Sequence, residues 1–301
     1  MVETAVDLCG VALQNPVIPA SGTFGFGTEM SAFYDLNLLG AISIKGTTLQ
    51  PRFGNPSPRI AECEEGMLNS VGLQNPGAER VVSEEIPHLR SIFHQPILGN
   101  ICGFSLEDYT ECCRMVAPHV DIVELNISCP NVHNGGMAFG TTPAGAAEVV
   151  TAVRKVCDRP LLVKLSPNVT DIVAIARACE EAGADGLTLI NTLLGMRIDI
   201  RRREPVLARK MGGFSGPAVF PVALRMVYQV SKACAIPVVG CGGVRSAQDV
   251  VEMMMAGATA VQVGSENLRD PLACKHIVQQ LPDVMKELRI NRLSEIIGIV
   301  E

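Results

Sequence analysis

The run Asp121-Ile-Val-Glu-Leu-Asn126-Ile-Ser128-Cys129-Pro130-Asn131 passes directly from a buried-strand pattern into amides, a hydroxyl and one thiol. An apolar run closed by Pro and Asn predicts a strand that ends at Pro130. In parallel α/β proteins ligands sit at the carboxyl ends of strands, so Cys129 is placed to face one. It is the candidate acid/base group, because a thiol with a free pKa near ~8.5 reaches the thiolate state near neutrality where its surroundings help. The segment Asn134-Gly-Gly-Met-Ala-Phe-Gly140 carries glycine hinges around an aromatic, which suits a loop that closes over a site and excludes water.

Other predicted strand ends carry polar or glycine clusters that one pocket could collect: Ser21-Gly22, Lys45-Gly46, Lys164 with Ser166, Asn191-Thr192, Gly242-Gly243 and Gly264-Ser265. Lys45 and Lys164 close hydrophobic runs, where an unpaired ammonium is costly to bury, so each calls for an anionic partner unless it is simply solvated. Lys164 could stabilise charge on a reduced isoalloxazine, and Lys45 could face a substrate carboxylate or the flavin. Asn69, Asn100, Asn126 and Asn191 offer donors and acceptors that suit a planar ligand with imide edges, although Asn in loops also serves turns. Glycines at 240–243 and 264 allow the close backbone approach that a phosphate requires, or serve as plain turn residues. No Gly-x-Gly-x-x-Gly opens a helix after a strand, so a mononucleotide such as FMN fits better than a nicotinamide dinucleotide.

Elements must bring these residues together. Short apolar runs recur at 17–20, 41–45, 96–100, 122–127, 161–165, 186–191, 237–241 and 260–264, with helical patterns between several of them. One helix follows Thr170 and runs to about Ala182, with Gly183 as its stop; another follows Ser246, with Asp249 at capping-box spacing, and ends near Gly257. Ala-Gly-Ala recurs before the next strand at 182–184 and 256–258, the footprint of a repeated β/α unit. Eight such strands over about 250 residues predict a (β/α)8 TIM barrel spanning 1–301 as a single domain, with the doubly wound open sheet as the other arrangement. Segments 46–95 and 192–235 are too long for simple crossovers and should form loops and small excursions, a lid among them, over the carboxyl face.

Composition sets bounds. A chain of 301 residues that is 48% hydrophobic can bury a large core. A net charge of −6, with Arg201-Arg202-Arg203 as the longest basic run, argues against a nucleic-acid surface. No apolar stretch approaches a membrane span and no signal pattern opens the chain, so a cytoplasmic location is expected. The eleven cysteines include no Cys-x-x-Cys and no metal spacing; apart from Cys129 they read as small packing residues. Any iron–sulfur centre would belong to another chain.

The chain resembles the dihydroorotate dehydrogenases, specifically the class 1B catalytic subunits, over nearly its whole length. The resemblance rests on Ala20-Ser-Gly-Thr-Phe-Gly, Ile44-Lys-Gly-Thr-Thr, Asn69-Ser-Val-Gly-Leu-Gln-Asn-Pro-Gly77, Asn126-Ile-Ser-Cys-Pro-Asn131, Asn134-Gly-Gly, Asn191-Thr192, Gly212-Gly-Phe-Ser-Gly216 and Gly240-Cys-Gly-Gly-Val244. It implies FMN contacts at Ser21, Lys45, Gly46, Asn100, Asn126, Lys164, Ile190, Gly216, Gly242, Gly243, Gly264 and Ser265. It implies dihydroorotate contacts at Lys45, Asn69, Ser70, Val71, Gly72, Leu73, Asn126, Asn191 and Thr192. The residue matching Cys129 would take a proton from C5 while C6 delivers hydride to FMN, giving orotate for pyrimidine biosynthesis. A partner iron–sulfur flavoprotein subunit carrying FAD and a [2Fe-2S] cluster would pass electrons to NAD, around a homodimer core within a heterotetramer. Cys241 stands where a larger apolar residue is expected, and Ser265 where Thr is. Rival readings are the fumarate-using homodimeric class, a dihydropyrimidine dehydrogenase, a flavin-free phosphate-binding isomerase or aldolase, and a flavin-binding subunit kept only for assembly.

Overall fold

The computed structural model describes residues 2–128 and 139–301. Cys129 and the glycine-rich segment after it, as far as position 138, lie outside the described residues.

Eight strands form one parallel sheet: β1 Val17–Pro19, β2 Ile42–Ser43, β3 Ile97–Ile101, β4 Ile122–Asn126, β5 Leu161–Lys164, β6 Gly186–Leu189, β7 Val238–Cys241 and β8 Ala258–Val263. Hydrogen bonding runs in the order β1-β8-β7-β6-β5-β4-β3-β2. The Gly40 N–H donates to the Val17 carbonyl at 3.1 Å and brings β2 back beside β1, so the sheet nearly closes into a (β/α)8 barrel. Glycine is required there, since a Cβ at position 40 would stand 1.9 Å from the Asn15 carbonyl oxygen. All eight runs read from the sequence are strands. β4 stops at Asn126, however, four residues before Pro130, because Asn126 Oδ1 turns back to accept from the Ser128 N–H at 3.2 Å.

The strands are buried along their whole length in β3 to β7, because a barrel strand packs its helix on one face and its neighbours' side chains on the other. The outer ring comprises α1 Ile86–Ile92, α2 Leu106–Val116, α3 Pro143–Arg154, α4 Ile172–Glu181, α5 Phe220–Ala233, α6 Ala247–Met255 and α7 Ala273–Glu287. Helix α4 shows the logic: Ile172, Ile175, Ala176 and Cys179 fall at helical spacing and are buried, each large side chain contributing roughly 1.5–3 kcal/mol. Its cap is Asp171, whose carboxylate accepts from the Ala174 N–H at 3.1 Å, one residue beyond the Thr170 start. The capping box of Ser246 and Asp249 opens α6. The repeated Ala-Gly-Ala has a structural reason: Gly183 and Gly257 leave α4 and α6 at φ +99° and +119°.

The long segments do more than loop. Residues 78–92 and Phe220–Ala233 are helical and supply crossover helices within segments expected to form loops and small excursions. The remainder joins across the molecule: Leu193–Met196, Met211–Ser215, Gly66–Asn69 and Ile60–Cys63 pair in that order as a four-stranded antiparallel sheet. Two segments distant in sequence thereby become one structure. At the opposite end of the barrel, the hairpin of Val6–Leu8 and Val11–Leu13 carries Cys9, whose thiol donates to the Asp185 carbonyl just before β6. Among the described residues no helix is long and apolar enough to cross a membrane.

Candidate active site

Because the strands are parallel, every predicted strand-end cluster arrives at the same end of the barrel. Four observations tie the predicted residues to one chamber. Asn191 Nδ2 donates to Ser128 Oγ at 2.6 Å and to Asn126 Oδ1 at 3.4 Å, which joins the ends of β4 and β6. Asn126 lies in register with Lys164 on β5. At the end of β2, a Cβ on Gly46 would meet Asn100 Oδ1, Cys102 Sγ and Leu73 Cδ2 at 3.0, 3.1 and 3.7 Å, so the 69–73 loop reaches the mouth of β2 and β3. A Cβ on Gly264 would meet only the Ala20 Cβ, at 4.0 Å, which sets the end of β8 beside Ser21.

The predicted substrate loop is rigidly mounted. Asn75 fills all its hydrogen-bonding capacity: Nδ2 donates to Thr48 Oγ1 at 2.8 Å and to the Leu73 carbonyl at 2.7 Å, while Oδ1 accepts from the Thr48 and Gly77 N–H groups at 3.2 and 2.9 Å. Ser70 N–H donates to the Arg59 carbonyl, and the Val71 carbonyl accepts from Asn55 N–H, at 2.7 and 2.9 Å. Leu73 takes φ +57°, a conformation uncommon for a branched residue. Ser70 Oγ is buried with no hydrogen-bond partner among the described residues. Asn69 and Thr192 both close on Gly213: Asn69 Nδ2 donates to its carbonyl at 3.5 Å, and a Cβ at 213 would overlap Thr192 Oγ1 at 2.0 Å.

The expected phosphate cradle splits into two kinds of glycine. Gly264 and Gly22 border open space. Gly242 and Gly243, at φ +131° and +75°, are demanded by packing, since added Cβ atoms would press on Ala223 and on the Phe220 backbone. Gly216 is likewise fixed, since an added Cβ would stand 2.4 Å from the Gly66 Cα. Among the described residues the N–H groups of Gly242, Gly243, Gly264 and Ser265 have no acceptor. Unpaired amides converging at the ends of β7 and β8 match an anion such as a phosphate. Ile190 is buried, and its side chain lies beside Gly242.

The two lysines differ. Lys164, 5% exposed, donates from Nζ to Gln262 Oε1 at 2.8 Å and stands 3.9 Å from Glu124 Oε2. Burial pulls its pKa down, but Glu124, with lesser help from Cys241 and Cys102, outweighs burial and holds it above the ordinary lysine value. Its anionic partner is therefore the protein's own. The Lys45 backbone is bonded, its N–H donating to the Gly25 carbonyl and its carbonyl accepting from Thr47 Oγ1, but its ammonium has no hydrogen bond or ion pair among the described residues, and burial pulls its pKa below the ordinary value. It keeps an unsatisfied ammonium for a ligand.

The sequence reading missed the floor beneath this chamber. Glu124, fully buried, accepts through Oε2 from Ser43 Oγ at 3.0 Å and Asn100 Nδ2 at 2.6 Å, and through Oε1 from Thr188 Oγ1 at 2.9 Å and Gln262 Nε2 at 2.6 Å. Side chains from β2, β3, β4, β5, β6 and β8 thus share one polar network in the barrel interior. The signal was present as polar residues interrupting the apolar runs, in Ile-Val-Glu-Leu-Asn126 and Ala-Val-Gln262-Val. Asn100 donates its amide to this floor and turns Oδ1 toward Gly46 and Cys102, so only part of it is available to a ligand. Tyr109 OH, another group the pattern did not single out, donates to the Asn126 carbonyl at 2.8 Å and steadies the end of β4.

A parallel barrel whose strand ends collect a free ammonium, amides and unpaired backbone donors defines a (β/α)8 enzyme that works at its carboxyl face. The chain belongs to the dihydroorotate dehydrogenase family, whose sequence profile matches residues 3–285. It is 54% identical over 300 residues to the dihydroorotate dehydrogenase B (NAD(+)) catalytic subunit of Geobacillus sp. (strain WCH70), covering 99% of this chain and 96% of that protein. The protein of the same name from Geobacillus kaustophilus (strain HTA426) is 55% identical with the same coverage. That of Halalkalibacterium halodurans is 54% identical across 99% of this chain and 98% of its own length.

Proposed function

We propose that this chain oxidises (S)-dihydroorotate to orotate, the redox step of de novo pyrimidine biosynthesis, with FMN as its bound cofactor. One observation carries the reading: the polar groups gathered at the carboxyl ends of the strands, several of them without a partner among the described residues, complement a flavin and a pyrimidine carboxylate. Unpaired amides at Gly242, Gly243, Gly264 and Ser265 fit the FMN phosphate, and the Lys164 ammonium fits the electron-rich side of the flavin ring. The free Lys45 ammonium fits a carboxylate, and the Ser70 hydroxyl with the amides of Asn69, Asn126 and Asn191 fits the imide edges of a dihydropyrimidine.

FMN, when bound, supplies the two-electron acceptor for the hydride that leaves C6. The chain supplies the rest. Cys129, as thiolate, takes the proton from C5, so that loss of one proton and one hydride leaves the C5–C6 double bond of orotate. Ser128, the residue before this thiol in sequence, is tied to Asn126 and Asn191. The 69–73 loop, mounted on Asn75, holds the substrate ring in place.

The relatives' names speak of a catalytic subunit linked to NAD(+). We assign this chain the same arrangement: a homodimer core flanked by iron–sulfur flavoprotein subunits carrying FAD and a [2Fe-2S] cluster, in the cytoplasm, where the ten described cysteines would stay as thiols. Purified protein should be yellow, and its flavin should bleach when dihydroorotate is added without oxygen. Colourless protein would point instead to a flavin-free barrel enzyme. Cys129→Ala should retain the flavin but bleach at least ~10²-fold more slowly, and an unaltered rate would remove the thiol from the mechanism. Turnover with fumarate but not with NAD in the presence of the co-purified partner would assign the chain to the homodimeric class.

A further inference from the structure

Glu124 has no place in the reaction as described, yet among the described residues it is the most heavily hydrogen-bonded side chain of the barrel interior. Four donors from β2, β3, β6 and β8 converge on its carboxylate, and Gln262 grips both it and Lys164, accepting from Lys164 Nζ at 2.8 Å and donating to Glu124 Oε1 at 2.6 Å. A carboxylate with no exposed surface is costly unless it is paired and fully bonded. A carboxylate needed only to join strands could be replaced by an apolar core, which the neighbouring residues on β3 to β7 already favour. Its position next to the one ammonium in the chamber floor supplies a reason for keeping it.

We infer that Glu124 is a positioning residue for the redox reaction: through Gln262 it fixes the direction of the Lys164 ammonium and offsets its charge. The inference rests on the flavin reading for its functional half. An uncompensated ammonium beside the flavin would over-stabilise the reduced, anionic cofactor and hold its electrons; a neutral amine would under-stabilise it. The Glu124–Gln262–Lys164 chain keeps the cation present but attenuated, a setting suited to a cofactor that must be both reduced by substrate and reoxidised by a partner. Among the described residues the remaining ionisable groups facing Lys164 are Cys241 on β7 and Cys102 just after β3, both thiols, and burial pushes the Cys241 thiol up, so Glu124 is the counter-charge.

Two measurements decide it. The first is a stability cycle on the whole chain with Glu124→Gln, Lys164→Met and both together. Each single variant leaves one buried charge unmatched, so the double variant should be more stable than Glu124→Gln alone, including the case in which that single variant fails to fold. A double variant no better than Glu124→Gln would mean that Glu124 serves the strands and not Lys164, and would overturn the pairing. The second is the ratio of affinities for reduced and oxidised FMN, measured from pH 6 to pH 10. In Glu124→Gln the preference for reduced FMN should rise about tenfold at pH 6, a shift of about 30 mV for a two-electron couple, and decline with rising pH. The native chain should show no such decline. A ratio and pH profile equal to those of the native chain would overturn the redox role. If Glu124→Gln does not fold, Gln262→Leu replaces it in this arm, with a changed ratio expected and an unchanged one again decisive against. Failure of the native chain to bind FMN would overturn the flavin reading and the redox role with it, while the stability cycle would still decide the pairing.

Discussion

Lys45 is held in a way that favours function over stability. Its ammonium has no partner among the described residues, and burial lowers its pKa, which means that the charged form opposes folding at neutral pH. Relief comes only as pH rises past the lowered value. Replacing it by Met should therefore stabilise the ligand-free protein, raising its Tm by about 2 °C or more in a thermal melt. The same change should weaken binding of orotate measured by flavin difference spectra. A lower Tm would show that Lys45 contributes packing rather than strain. Cys129→Ser makes a second residue-scale case: an alcohol ionises far less readily than a thiol, so residual activity should shift to higher pH in a rate profile.

At the scale of elements, the chamber depends on excursions that no single strand-helix unit contains. Asn75 ties the 69–73 loop to Thr48 just beyond β2 through three hydrogen bonds, and the antiparallel sheet ties the same loop to 211–215. Asn75→Ala removes the bonds to both the loop and β2's exit. It should cost about 2 kcal/mol in denaturant unfolding and raise KM for dihydroorotate about tenfold with a much smaller change in kcat, since substrate positioning is lost and the proton-transfer group is not. A fall in kcat at constant KM would argue that the loop acts on chemistry instead.

For the whole molecule, the buried Glu124–Lys164 pair predicts how stability varies with pH. Burial pushes the Glu124 carboxyl up, but Lys164 and the bonds from Asn100, Gln262 and Thr188 outweigh it and hold its pKa below the ordinary 4.5. Its contribution is complete above that value and is lost as pH falls through the lowered one. Lys164, held above the ordinary 10.5, contributes fully below that value and loses its contribution as pH rises through the raised one. The native chain should therefore lose stability on both the acid and the alkaline limb, and the variant carrying Glu124→Gln with Lys164→Met should lose less on each, as read by urea midpoints across pH. Matching limbs would show that other groups govern them.

The sequence alone determined the barrel and most of the chamber, because a parallel barrel is written in local signals. Apolar runs of four to six residues, an Asx or Ser cap and a glycine stop recur along the chain, and parallel topology then sends every strand-end cluster to one face. Asn126, Lys164, Asn191 and the glycines at 242, 243 and 264 were legible for that reason. Three matters were decided only in three dimensions. The 60–69 and 193–215 segments share a sheet through long-range pairing that no local pattern encodes. The glycines at 216, 242 and 243 are fixed partly by neighbours distant in sequence. Most of all, a lone Glu or Gln within an apolar run says nothing of its partners, and only closure of the sheet, which sets β4 opposite β8 and β2 across the barrel interior, turned Glu124 and Gln262 into the support of Lys164.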